Sequence, residues 1–189
     1  MTSEPTWQAR LRQSLQPRRS LPSSPSPSTE GAPEPARRIR VAILGIGNAT
    51  GGDDAAGSVV ARLLIPHLSG RENVLVIDGG AAPENCTGPL RRFRPDLVLL
   101  VDAAQMDAPP GAVRWLDWSA IDGLSASTHT LPPSLLARYL VAETGCTLAV
   151  IGIQPAGNAF GAPLTPPVQA AVTEIVDVLR RELGREAPE

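Results

Sequence analysis

Four short runs built almost wholly of Val, Leu, Ile and Ala, at residues 40–46, 73–78, 97–102 and 147–153, constrain this chain more than anything else in it. Each is too short for an ordinary helix, and helix-length segments separate most of them. Strands that read as continuous apolar runs are buried on both faces, which is the situation of a parallel sheet covered by helices. Residues 113–117 alternate instead, as an edge strand does. Between these runs, Asp53 or Asp54 is placed to cap a helix reaching about Ile65, with Val59, Val60, Leu63 and Leu64 inward. A helical stretch covers residues 84–93, and another begins at Pro132 or Pro133 and ends at Gly145. The last starts at Pro166 and carries Val168, Val172, Ile175, Val176 and Leu179 on one stripe. Strands alternating with helices predict an α/β fold: one mainly parallel sheet with helices on both faces.

The 189 residues suit one domain plus a tail. Aromatic residues make up only 3% while hydrophobic residues reach 42%, so the core has to be aliphatic. Residues 17–36 hold six prolines and five serines, with Leu21 the one aliphatic side chain larger than alanine. Such a stretch buries too little apolar surface to offset its ordering entropy. Residues 1–38 are therefore expected to form a disordered tail, and 39–185 the folded domain. Within the tail Trp7, Leu11 and Leu15 recur every four residues. That spacing also fits a short amphipathic helix, an arm for a partner, but a floppy terminus is the expectation. The net charge of −2 gives no basic field for nucleic acid. No apolar run approaches the ~18 residues of a membrane span, and no secretory apolar region follows the first arginines. A cytoplasmic protein without nucleic-acid or membrane partners is expected, its Cys86 and Cys146 reduced.

In open α/β sheets ligands sit beyond the carboxyl ends of the strands. The polar residues there are Asn48, Asp53 and Asp54 after the first run, Asp78 after the second and Asp102 after the third. A dinucleotide fingerprint fails, because Thr50 stands where the third glycine belongs. Two carboxylates at the helix start also repel a pyrophosphate. There is no nucleophile elbow for a serine hydrolase, and His67 is accounted for by a helix C-terminus. Asp54, Asp102 and His129 make a plausible three-ligand set for a first-row transition metal, with a coordination position left open. An Asp54–Asp102 acid–base pair is the other reading, and it leaves His129 without a task.

Six segments together resemble the hydrogenase maturation endopeptidases, closest to the hydrogenase 3 type. They are Leu44-Gly-Ile-Gly-Asn48, Gly52-Asp-Asp-Ala-Ala-Gly57, Ile77-Asp-Gly-Gly80, Leu100-Val-Asp-Ala103, Ser127-Thr-His129 and Gly152-Ile-Gln-Pro155. The resemblance spans residues 40–183. It implies a five-stranded twisted sheet between helices with one antiparallel edge strand. It also implies an endopeptidase that removes the C-terminal extension of a nickel-iron hydrogenase large-subunit precursor after nickel insertion. The family's metal contacts fall on Asp54, Asp102 and His129, and Asp78 lies in a motif that assists recognition or cleavage. The nickel is then the substrate's, with no resident organic cofactor, and the protease is expected to be a monomer. Two routes stay open: substrate nickel polarises the scissile carbonyl or a water, or an aspartate activates the water directly. The alternative function is a non-enzymatic module that checks the precursor for nickel and releases it uncut. A plain nucleotide- or flavin-binding domain is a third reading.

Overall fold

The computed structural model describes residues 5–16, 38–118 and 133–185. In chain order these form α1 (Trp7–Ser14), β1 (Val41–Ile46), α2 (Ala56–Leu68), β2 (Val74–Gly80), α3 (Thr87–Phe93) and β3 (Leu97–Ala103). Then follow β4 (Val113–Asp117), α4 (Pro133–Thr144), β5 (Thr147–Ile153) and α5 (Pro166–Gly184). The five strands make one sheet in the order β2-β1-β3-β5-β4. β2, β1, β3 and β5 run parallel, and β4 pairs antiparallel to β5 at the edge. This is the expected three-layer α/β domain.

Alternation along the strands sorts the core into two layers. Ile43, Leu99, Val101 and Ile151 face Val60 and Leu64 of α2 and Ile175 and Leu179 of α5. Ala42, Leu44, Val98, Leu100 and Val150 face Leu90 of α3 and Leu136 and Leu140 of α4. Each fully buried aliphatic side chain of this kind contributes roughly 1.5–3 kcal/mol. The sheet is held between aliphatic layers with few aromatics, as the composition requires.

Three expectations need correction. Leu63 is 46% exposed, because the inward stripe of α2 runs through Ala56, Val60, Ala61, Leu64 and Leu68. At 100° per residue, Leu63 falls outside it. Neither aspartate caps α2 with its side chain; the helix is entered through a 3-10 turn over Gly52–Ala55. The helical stretch expected over 84–93 is present, as a 3-10 turn, Pro83–Cys86, running into α3.

The third correction concerns the start of the chain. Residues 7–14, expected within a disordered tail, form α1, capped by the Thr6 hydroxyl accepting from the Ala9 N–H at 3.3 Å. An eight-residue helix is not stable by itself, so its support is tertiary. Trp7 and Leu11 are buried in the core layer shared with α5 and β4. The Trp7 indole N–H and Gln8 amide donate to Glu174 at 3.2 and 2.8 Å, and Arg12 pairs with Glu182 at 3.0 Å. The arm docks on its own domain. The proline- and serine-rich residues 17–37 lie outside the described residues.

Candidate active site

The loops at the carboxyl ends of β1, β2, β3 and β5 carry nearly all the polar residues singled out from the sequence. What brings the first of them into place is a backbone contact. Gly57, in the first turn of α2, lies directly on the carbonyl oxygens of Ile46 and Val101, where a Cβ would overlap both. The start of α2 therefore rides on the ends of β1 and β3 with no side chain between. The 3-10 turn before it hangs over the same two strand ends.

The adjacent aspartates of that turn do different work. Asp53 is 0% exposed and points inward. Its Oδ2 accepts from the N–H groups of Ala156 and Gly157 at 2.8 and 3.1 Å and from the Thr165 hydroxyl at 2.9 Å. Its Oδ1 accepts from the Thr165 N–H at 2.7 Å. Thr165 is the N-cap of α5, so the carboxylate also meets the positive end of that helix. Burial by itself would raise the Asp53 pKa, but these hydrogen bonds outweigh it and hold the carboxyl below the usual range. Asp53 is a clamp between the β1–α2 turn and the loop after β5.

Asp54 keeps partial contact with solvent, and its Oδ2 accepts from the Asn48 N–H at 3.3 Å. Its charge acts on Asp102 at the end of β3. Burial first, and then the neighbouring Asp54, raise the Asp102 pKa to about 7, against a lowering contribution from the Ala103 N–H. Beside Asp54, Asp102 can therefore hold a proton near neutral pH. Perturbation of this kind, produced by burial and a like charge at a strand end, marks a candidate site.

Asp78 is set apart. β1 lies between β2 and β3, with Gly45 in register with both Asp78 and Val101. Asp78 turns to the α2 side, where its Oδ1 accepts from the Ser58 hydroxyl at 2.6 Å and its Oδ2 pairs with Arg62 at 3.1 Å. Arg62 also donates to Ser58 at 2.8 Å. Both oxygens of Asp78 are engaged. Asp102 alternates to the opposite layer, that of Leu100 and α4. The four-residue spacing of Ser58 and Arg62 on one helix face was the available signal for Asp78's partners.

His129 lies outside the described residues, as do the serines near it. The chain re-enters the described structure at Pro133. Since α4 ends two residues before β5 begins, its start lies toward the carboxyl end of the sheet. Among the described residues, no group of three or more His, Cys, Asp or Glu side chains is placed to hold a metal ion. Cys86 is half-buried, and its thiol is pushed up by burial and then by Asp78 and Glu84. Cys146 is buried and also raised, mainly by burial. Neither is an activated nucleophile.

Sequence reasoning missed the internal role of Gln154. Its amide oxygen accepts from the Met106 N–H at 2.7 Å, and its amide nitrogen donates to Gln105 at 2.8 Å. It braces the loop between β3 and β4. A glutamine directly after a wholly apolar strand was the clue.

The chain's residues 59–182 match the HycI family, described as hydrogenase maturation protease. It is 37% identical over 134 residues to the hydrogenase 3 maturation protease of Escherichia coli, covering 70% of this chain and 84% of that protein. The fold is similar to the crystal structure of a nickel-iron hydrogenase maturation protease, HycI, from Thermococcus kodakarensis. That likeness has a TM-score of 0.71 at 31% identity, covering 78% of this chain and 94% of the other. The solution structure of the endopeptidase HycI from Escherichia coli gives a TM-score of 0.65 at 34% identity, with 74% and 88% covered.

Proposed function

The chain belongs to the hydrogenase maturation proteases and is a peptidase, and on that premise we propose that it removes the C-terminal extension of a nickel-iron hydrogenase large-subunit precursor once nickel has been inserted. The observation that carries the reading is the Asp54–Asp102 pair at the strand ends, with the Asp102 pKa raised to about 7. In this reading Asp54, Asp102 and His129 contact nickel that the precursor holds. The nickel belongs to the substrate, and cleavage waits for it because an unloaded precursor lacks part of the docking surface. Asp78, with both oxygens bound, assists recognition by supporting the shape of the β2 end.

Two chemistries fit the carboxylate pair. Substrate nickel orients the scissile peptide and draws electron density from its carbonyl. Alternatively, the ionised member of the pair accepts a proton from water as its oxygen adds to the carbonyl carbon. The C–N bond then breaks, and the protonated member supplies a proton to the departing amine. Cleavage of a nickel-free precursor would establish the second route, which needs no metal at the carbonyl; an uncut one is expected on either route, because docking itself depends on nickel. Action in the cytoplasm as a monomer belongs to the same proposal. Among the described residues no helix is long and apolar enough to cross a membrane.

The test is incubation of the purified protein with nickel-loaded and nickel-free precursor, followed by mass spectrometry. Loss of a C-terminal peptide from the loaded form alone is expected. Cleavage of both forms removes nickel reading from the mechanism, and binding without cleavage of a cognate precursor supports the checking module instead. Asp54→Asn and His129→Ala are expected to abolish processing in a protein that still folds.

A further inference from the structure

The loop after β5, residues 154–165, is tied down at many points yet presents a bare aromatic ring. Asp53 grips it at Ala156, Gly157 and Thr165. The Asp53 N–H donates to the Gly157 carbonyl at 3.2 Å, and the Gly161 N–H to the Thr50 carbonyl at 2.8 Å. The Ala162 N–H closes a turn on the Ala159 carbonyl at 3.1 Å. Gly161, third in that turn, has φ of +73°, the value a type II turn demands there. Phe160 is second, at the turn's tip, and is 87% exposed.

The tip adjoins the candidate site. Gly52 sits against the carbonyl oxygens of Gly157 and Ala159, each 3.2 Å from where its Cβ would be. Gly51, the residue before it, packs on the Asp54 side chain. The turn bearing Phe160 is thus fastened to Thr50, Gly52 and Asp53, directly before Asp54. Phe93, the chain's other phenylalanine, packs against the core and under Arg40. A lone exposed apolar residue needs no explanation by itself. One at the apex of a turn fixed by a buried carboxylate, beside a carboxylate pair, has lost its ordering entropy in advance. That is how a binding anchor is built.

We propose that Phe160 is the docking anchor for the protein substrate, inserting into an apolar pocket on the precursor and so setting the scissile segment over Asp54 and Asp102. This rests on the reading that the site processes a protein precursor. Phe160 is a specificity residue and takes no part in proton transfer. Because it buries almost nothing in the free protein, its replacement leaves folding intact.

The test uses Phe160→Ala and Phe160→Trp in the full chain, with the nickel-loaded precursor. For Phe160→Ala, KM for cleavage and Kd for the precursor are expected to rise at least about tenfold, as for an interface hot spot. kcat should stay within about twofold and Tm unchanged. Phe160→Trp, which keeps a flat apolar ring, is expected to recover part of the affinity. A wild-type enzyme that cleaves the precursor, beside an alanine variant with unaltered KM and Kd, overturns the proposal and leaves the peptidase reading standing. A lower Tm with reduced kcat overturns it in favour of a structural role. If the wild-type protein neither binds nor cleaves the precursor, the substrate assignment fails and the anchor with it.

Discussion

Asp53→Asn isolates the clamp, because the substitution keeps shape and removes charge. In the native protein four donors converge on the two oxygens of Asp53, three on Oδ2 and one on Oδ1. The asparagine amide group fits best in place of Oδ1, where it meets the Thr165 N–H donor to donor. One bond to a charged acceptor is then lost, at about 1.5–3 kcal/mol. The three remaining bonds become neutral and weaken, and the α5 N-terminus loses a compensating charge at about 0.3–1 kcal/mol. A total of about 3 kcal/mol is expected, which for a domain of this size lowers Tm by roughly 6–12 °C. The pH dependence checks the cause. The folded pKa of Asp53 lies below its unfolded value, so its stabilisation is complete above the ordinary aspartate pKa and is lost as pH falls through the folded one. Thermal melts followed by circular dichroism should show the gap between wild type and Asp53→Asn at pH 7, narrowing in acid as wild type becomes protonated. A variant within about 2 °C of wild type at pH 7, or a gap that does not narrow, refutes the clamp.

Asp102 carries the opposite sign. Its folded pKa is raised to about 7, so the stability linked to its proton is greatest below the unfolded aspartate pKa and declines as pH rises through 7. Asp102→Asn imitates the protonated form; it should raise Tm at pH 8, leave it unchanged near pH 4, and eliminate processing. Equal melting at pH 8 would count against a desolvated, repelled carboxylate. In α1, Trp7→Ala removes a buried indole, a change worth up to about 3–5 kcal/mol in a closed core, here capped by the docking free energy of α1. Hydrogen exchange should show residues 7–14 losing protection while β1, β3 and β5 keep theirs. Retained protection in that segment means that Trp7 does not hold the arm.

The parts of this molecule legible in the sequence were those fixed by repetition. β1, β3 and β5 announced themselves because a strand buried on both faces has only aliphatic residues to choose from. The stripe of α5 was legible for the equivalent reason, five apolar positions at helical spacing. Parts decided by one contact across the fold were not. Asp53 and Asp54 are chemically identical neighbours, and only the loop from Ala156 to Thr165, a hundred residues on, determines which turns inward. Trp7 and Leu11 had the right spacing, yet an eight-residue helix exists only where a surface receives it. The strand-end rule pointed to Asp54 and Asp102, the first of which acts electrostatically on the second. It said nothing of Arg62 and Ser58, which draw Asp78 to the other side of the sheet.

The pairing of α1 with α5 has a consequence for how the protein is made. Its hydrogen bonds join residues 166 to 170 positions apart, Gln8 with Glu174 and Arg12 with Glu182. The arm is translated well before the helix that receives it. At about 5–20 residues per second, the segment with Trp7 and Leu11 waits roughly ten to thirty seconds for its seat to be synthesised. The proline- and serine-rich stretch next to it, poor in apolar residues, offers no rival surface during that delay. Docking of α1 on α5 therefore waits until every strand of the sheet has been translated.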